Sequence, residues 1–168
     1  MNRTFTAEKW TNFIDKKLWY DAVSDAEDMI NTDIETDIQG FDIDGEVIKV
    51  ARENAVRAGV ERLIHFQTRP VSELSHHGSY GFIITNPPYG ERLEEAATLP
   101  QIYTDFGRSF AKLDTWSAYL ITSYEDTEKY VGKKADKKRK IYNGMIKTVY
   151  YQFLGPKPPK RKKETGDL

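Results

Sequence analysis

The chain contains no cysteine. That excludes disulfides, thiolate zinc sites and cysteine nucleophiles outright. No stretch approaches the roughly 20 consecutive apolar residues that a membrane helix needs. The N-terminal MNRTFTAEKW lacks the apolar centre of a signal peptide. No membrane contact and a cytoplasmic location are therefore expected. Histidine is scarce. His65 falls within an expected strand, while His76 and His77 are adjacent in a polar stretch with no third ligand placed nearby, so no metal site is expected. No nucleophile elbow and no internal repeat occur.

What is present suits one ordinary domain. With 168 residues, 39% of them hydrophobic, the chain can bury a sizeable core but cannot supply two ordinary ones. Its net charge of −1 hides an asymmetry. Residues 1–60 carry 7 Lys and Arg against 13 Asp and Glu, whereas residues 61–168 carry 18 against 13. Two basic runs, Lys133 to Lys140 and Lys157 to Lys163, account for much of the later excess. Such runs suit phosphate backbones, and equally suit a solvated face or a frayed tail.

Hydrophobic spacing sets the order of elements. Thr6 to Ile30 has a helical period, broken once. Ile38 to Asp42 reads as a strand, Gly45 to Ala58 as a helix stopped by Gly59, and Leu63 to Gln67 as a second strand. Tyr80 to Thr85 is a third strand. Leu99 to Leu113 is a helix, Trp116 to Thr122 a fourth strand, and Glu125 to Val131 a short helix. Asn143-Gly144 between strand-like runs signals a hairpin. The predicted fold is α/β: a mainly parallel sheet with a C-terminal antiparallel hairpin. Residues 1–155 form the expected domain. The stretch 156–168, with three prolines and five basic residues, is expected to be a disordered tail.

Two segments at strand ends carry the chemistry, because open α/β sheets bind ligands there. The first is Gly40-Phe41-Asp42-Ile43-Asp44. Asp42, at the strand tip, can accept hydrogen bonds from two adjacent ribose hydroxyls. Ile43 can pack on a purine, and Asp44 can serve there or as the N-cap of the next helix. The second is Asn86-Pro87-Pro88-Tyr89-Gly90-Glu91-Arg92. An aromatic exocyclic amine is a poor nucleophile, because its lone pair is delocalised into the ring. Two acceptors that hold both of its N–H groups favour localisation of that lone pair. Asn86 offers a side-chain oxygen and Pro87 a backbone carbonyl. The prolines stiffen the turn and add no donors, and Tyr89 can stack on the base. A plain β-to-α turn would use the same residue types.

On these pieces the chain resembles the C-terminal part of bacterial large-subunit ribosomal RNA guanine-N2 methyltransferases. It is most similar to the Gram-positive branch labelled N6-adenine-specific DNA methylase. The resemblance runs over nearly all of residues 1–155, through NRTFTAEKW, GFDIDGEVIKVARENA, NPPYGER and GKKADKKRKIYNG. It implies a Rossmann-like S-adenosylmethionine (SAM) methyltransferase with strand order 3-2-1-4-5-7-6. It makes Asn86, Pro87, Pro88 and Tyr89 the catalytic turn, and Asp42, Ile43 and Asp44 the cofactor contact. Arg92, Lys137, Lys138 and Arg139 become phosphate contacts to ribosomal RNA. It also implies a glycine-rich first strand and an RNA-binding module upstream, neither of which this chain carries, and an acid after the third strand, for which Glu73 is the nearest candidate. The expected activity is methylation of guanine N2 in 23S rRNA. The alternatives are adenine N6 in DNA, with the same chemistry, and a truncated, inactive fragment that binds SAM weakly or not at all.

Overall fold

The computed structural model describes residues 4–31, 33–90 and 93–160. The chain divides into two compact units, residues 1–68 and 69–168.

The first unit opens with a 3-10 turn, Thr6–Lys9, and helix α1, Lys16–Asp28, so the expected long helix is indeed broken once. Strand β1, Ile38–Asp42, leads into helix α2, Gly45–Ala58. Gly59 ends α2 in the left-handed conformation at φ 70°. Strand β2, Ile64–Thr68, then lies parallel to β1, with Ile38 opposite Ile64 and Asp42 opposite Thr68. Gly40 is required at the centre of this pair. A Cβ there would sit 2.7 Å from the ring of Phe66, its direct partner. Burial is thin: among the described residues of this unit only Ile48 and Ala55, on one face of α2, are fully buried.

The second unit holds the main core. Strand β3, Phe82–Thr85, runs parallel to β4, Ser117–Thr122, and helix α3, Leu93–Phe110, connects them. Helix α4, Thr127–Val131, precedes the hairpin of β5, Lys137–Asn143, and β6, Ile146–Phe153. The sheet order is β3-β4-β6-β5, with β6 antiparallel to both neighbours. On β4 alternate residues are buried, so Ala118, Leu120 and Thr122 face inward. Ala118 and Leu120 join Leu99, Tyr103, Phe106 and Phe110 of α3, Val131 of α4, and Tyr151 and Phe153 of β6 in one core cluster. Gly107 lets α3 approach α4 closely, since a Cβ there would lie 2.2 Å from the Val131 carbonyl oxygen.

Three details depart from expectation. Helix α3 begins six residues before Leu99 and carries Pro100 in its interior. The hairpin turn is Gly144-Met145, one residue later than Asn143-Gly144, because Asn143 still pairs with Ile146. Gly144 alone supplies the positive φ, 61°, as in turns with glycine first. Finally, the strands form two sheets, β1-β2 and β3-β4-β6-β5. Within each sheet the neighbours are those of the expected order, 3-2 in the first and 4-5-7-6 in the second. Beyond β6 the chain stays pinned for two residues: the Leu154 amide donates to Asp136 and the Gly155 amide to Ser117 Oγ. Of the expected tail, residues 161–168 lie outside the described residues.

Candidate functional site

At the tip of β1, hydrogen bonds between near neighbours fix the acidic turn. Asp42 Oδ1 accepts the amide of Asp44 at 2.8 Å, and Asp44 Oδ1 accepts the amide of Glu46 at 2.8 Å. Asp44 is thus the N-cap of α2. In both carboxylates it is Oδ1 that accepts the amide, and Oδ2 lies outside these two bonds. Ile43 stands beside Asp42, 75% exposed, so an apolar side chain faces solvent next to an acceptor. Glu73 lies in a 3-10 turn, Val71–Glu73, with its carboxylate 3.8 Å from Arg69.

At the end of β3, Asn86 is exposed and Tyr89 half-buried. The Tyr89 hydroxyl donates to Asn86 Oδ1 at 2.5 Å. The ring expected to stack on a base therefore also fixes the amide of the expected catalytic asparagine. Gly90 adopts φ 78°, and a Cβ on it would meet Leu99 Cδ1 at 2.7 Å. The turn thus folds back closely on α3. Beneath it the Tyr103 hydroxyl reaches the Pro88 carbonyl at 3.4 Å and Thr122 Oγ1 at 2.5 Å. Thr122 Oγ1 also accepts the amide of Tyr124. Burial pushes the Tyr103 phenol up to about 12, so it stays protonated and able to donate at neutral pH.

The basic segment separates into two faces. Lys138 pairs opposite Tyr151, and its ammonium lies 2.7 Å from Glu128. Glu128 also accepts the Ala135 amide at 2.8 Å. The hydrogen bond from Lys138, followed by that amide, holds the Glu128 carboxyl below the ordinary carboxylate range. Lys138 is thus engaged within the protein. Lys137 and Arg139 alternate to the opposite face of β5, are exposed, and carry no ion pair among the described residues. Arg92 lies outside the described residues. His76 packs its ring 4.8 Å from Trp116 and accepts the Gly78 amide through Nδ1. Among the described residues no three acids or histidines gather as metal ligands, and no helix is long and apolar enough to cross a membrane.

Sequence reasoning overlooked Tyr103, Thr122 and Glu128. Tyr103 carried a usable signal: with Phe106 and Phe110 it continues one helical stripe, yet it places a hydroxyl in an apolar core.

The RMKL-like methyltransferase domain matches residues 4–152 of this chain. The chain belongs to that family. A Bacillus subtilis relative named "Putative RNA methyltransferase YpsC" is 44% identical over 96% of this chain and 42% of its own length. A Shewanella ribosomal RNA large subunit methyltransferase K/L is 33% identical over 87% of this chain and 21% of its own. The chain therefore spans less than half the length of these relatives. Among solved structures, SMU.472, described as "a putative methyltransferase complexed with SAH", aligns at TM-score 0.83 and 38% identity, over 94% of this chain and 42% of its own. A "predicted N6-adenine-specific DNA methylase" from Listeria monocytogenes aligns at TM-score 0.80 and 43% identity, over 92% of this chain and 40% of its own. Membership in the RMKL-like family identifies the α/β architecture as that of a Rossmann-like SAM methyltransferase.

Proposed function

We propose that this chain is part of a SAM-dependent methyltransferase acting on an exocyclic amino group of a nucleic-acid base, guanine N2 of large-subunit ribosomal RNA. In this proposal residues 1–155 are one partial methyltransferase domain, followed by a basic tail. The observation that carries it is the Asn86–Tyr89 turn at the end of β3. There an exposed amide and a rigid pair of prolines offer acceptors beside an aromatic ring. The fit to the cofactor rests on β1: Asp42 retains a carboxylate oxygen for ribose hydroxyls, and exposed Ile43 offers an apolar surface to a purine. Bound SAM would supply an electrophilic sulfonium methyl.

This chain's own residues do the rest. Asn86 Oδ1 and the Pro87 carbonyl accept the two N–H groups of the amine and hold its lone pair clear of the ring. Tyr89 stacks on the base, a contact of about 1–3 kcal/mol in comparable single-strand complexes. No strong base is needed, because the amine proton becomes acidic once the nitrogen is cationic. Catalysis is then mainly positioning and electrostatics. Lys137 and Arg139, which form no ion pair among the described residues, serve phosphates better than Lys138, and Arg92 completes the basic set.

Two other readings have observations of their own. The name of the Listeria structure favours adenine N6 in DNA, which the same turn could grip. The strands favour an incomplete domain: among the described residues β1 pairs only with β2, and β3 only with β4. A sheet missing its central strand would hold SAM weakly or not at all. Calorimetry of the 168-residue protein tests that, and one-to-one binding in the micromolar range would refute it. The substrate is tested by mass spectrometry of ribosomal RNA nucleosides from a deletion strain. One N2-methylguanosine should vanish, return with the wild-type gene, and fail to return with Asn86→Ala. An unchanged nucleoside profile would sink the guanine proposal.

A further inference from the structure

Tyr103 and Thr122 are, at 1% and 0% exposure, among the most buried side chains of the second unit, and both are polar. Tyr103 lies in an apolar cluster with Leu99, Phe106 and Leu120, and Thr122 follows Leu120 on the inward face of β4. Phe and Val would fill the same space, so packing alone gives no reason for the hydroxyls. The hydrogen bonds do. The Tyr124 amide can only donate and the Pro88 carbonyl can only accept. One sense of the chain supplies Pro88: Tyr124 N–H to Thr122 Oγ1, Thr122 O–H to Tyr103, and Tyr103 O–H to the Pro88 carbonyl. The relay ends on two backbone groups, one in the turn after β3 and one in the loop after its parallel neighbour β4. Gly90 seats the far side of the turn, lying close to Ala96 and Leu99 of the same helix that carries Tyr103.

Taking the proposed base-gripping role of the turn as its basis, we infer that Tyr103 and Thr122 are positioning residues. Their relay holds the Pro88 carbonyl inward, which leaves Asn86 and the Pro87 carbonyl turned outward to the base amine. The stereochemistry supports this. Pro87, standing before another proline, is confined to extended backbone. In a polyproline-type stretch, with about three residues per turn, successive carbonyls point to different sides. Pinning one inward therefore directs its neighbour away from the core. The prolines set the local shape, and the relay fixes how that shape is rotated against the sheet.

The test is hydrogen–deuterium exchange of the Tyr89 and Gly90 amides, read beside methyl-transfer kinetics, in wild type, Tyr103→Phe, Thr122→Val and Thr122→Ser. Tyr103→Phe and Thr122→Val should speed exchange of the turn about fivefold, the effect of one lost hydrogen bond, while Thr122→Ser stays within about twofold of wild type. kcat should fall in the first two variants with KM for SAM unchanged. An unchanged turn in Tyr103→Phe and Thr122→Val, or equal loosening in Thr122→Ser, would overturn the relay whatever the activity. A loosened turn with undiminished kcat would overturn its positioning role. A loosened turn in a wild-type background that transfers no methyl to RNA or DNA would instead remove the proposed function and leave the relay standing.

Discussion

The two strand ends are built differently. At β1 the acidic turn is held by hydrogen bonds spanning two residues, Asp42 to Asp44 and Asp44 to Glu46, in a unit with few buried side chains. At β3 the Asn86–Gly90 turn is anchored by residues 15 positions away in sequence, on a helix that carries much of the core. On the proposed function, a carboxylate that holds ribose needs only to be presented, so a local turn suffices, whereas a turn that aims two acceptors at one amine needs an external reference. Changes at Asp42 should therefore act mainly on ligand affinity, while Asp44 also caps α2. Changes beneath the second end should couple stability to catalysis.

The largest effects should arise where the second unit is packed. Phe153→Ala empties a fully buried site on β6, against Phe110 of α3, and should cost about 3–5 kcal/mol in a urea melt. Gly107→Ala drives a Cβ into the Val131 backbone and should lower the melting temperature together with the turn's protection from exchange. An equally large effect on the exchange of α2 amides would break the contrast between the units. Next in size is a pH effect. Tyr103 titrates higher in the folded protein than its ordinary value near 10. The stability associated with keeping it neutral is full below pH 10 and is lost as pH rises through about 12, by up to about 3 kcal/mol. Tyr103→Phe should flatten that loss in denaturant melts between pH 9 and 12. Asp42→Asn should move the melting temperature by under about 0.5 kcal/mol equivalent, because the side chain is near the surface, while weakening any measurable SAM affinity. The smallest effect belongs to Lys138→Ala, a slight loss of stability at low salt that high salt should erase, because the lysine is half exposed.

Much of this was legible beforehand, for a physical reason. Strand β1 and helix α2 lie where their periodicity and the Gly59 stop signal put them, because those are local signals. The N-terminal helix broke as its spacing implied. Helix α3 was read too short at its start: it begins at Leu93, before the first apolar residue of the Leu99–Leu113 stripe, and runs through Pro100. The hairpin turn shifted by one residue because the positive φ belongs to Gly144 and the pairing register assigns the rest. Asn86, Tyr89 and Asp42 stood out as residue types at strand ends. Lys138 could not be told from Lys137 and Arg139, because strand parity and the presence of Glu128 are settled only when β5 pairs. The Tyr103–Thr122 relay was invisible, since its two residues lie 19 apart and meet only across the folded core.

The most direct measurement is the single-turnover rate of methyl transfer to unmodified ribosomal RNA by Asn86→Ala against wild type, with SAM binding followed in parallel. A drop of about a hundredfold or more, with SAM affinity unaltered, is predicted for loss of a preorganised contact to the reacting amine. A variant that transfers methyl within about threefold of the wild-type rate, well short of what such a contact supplies, would contradict the claim that this turn grips the base.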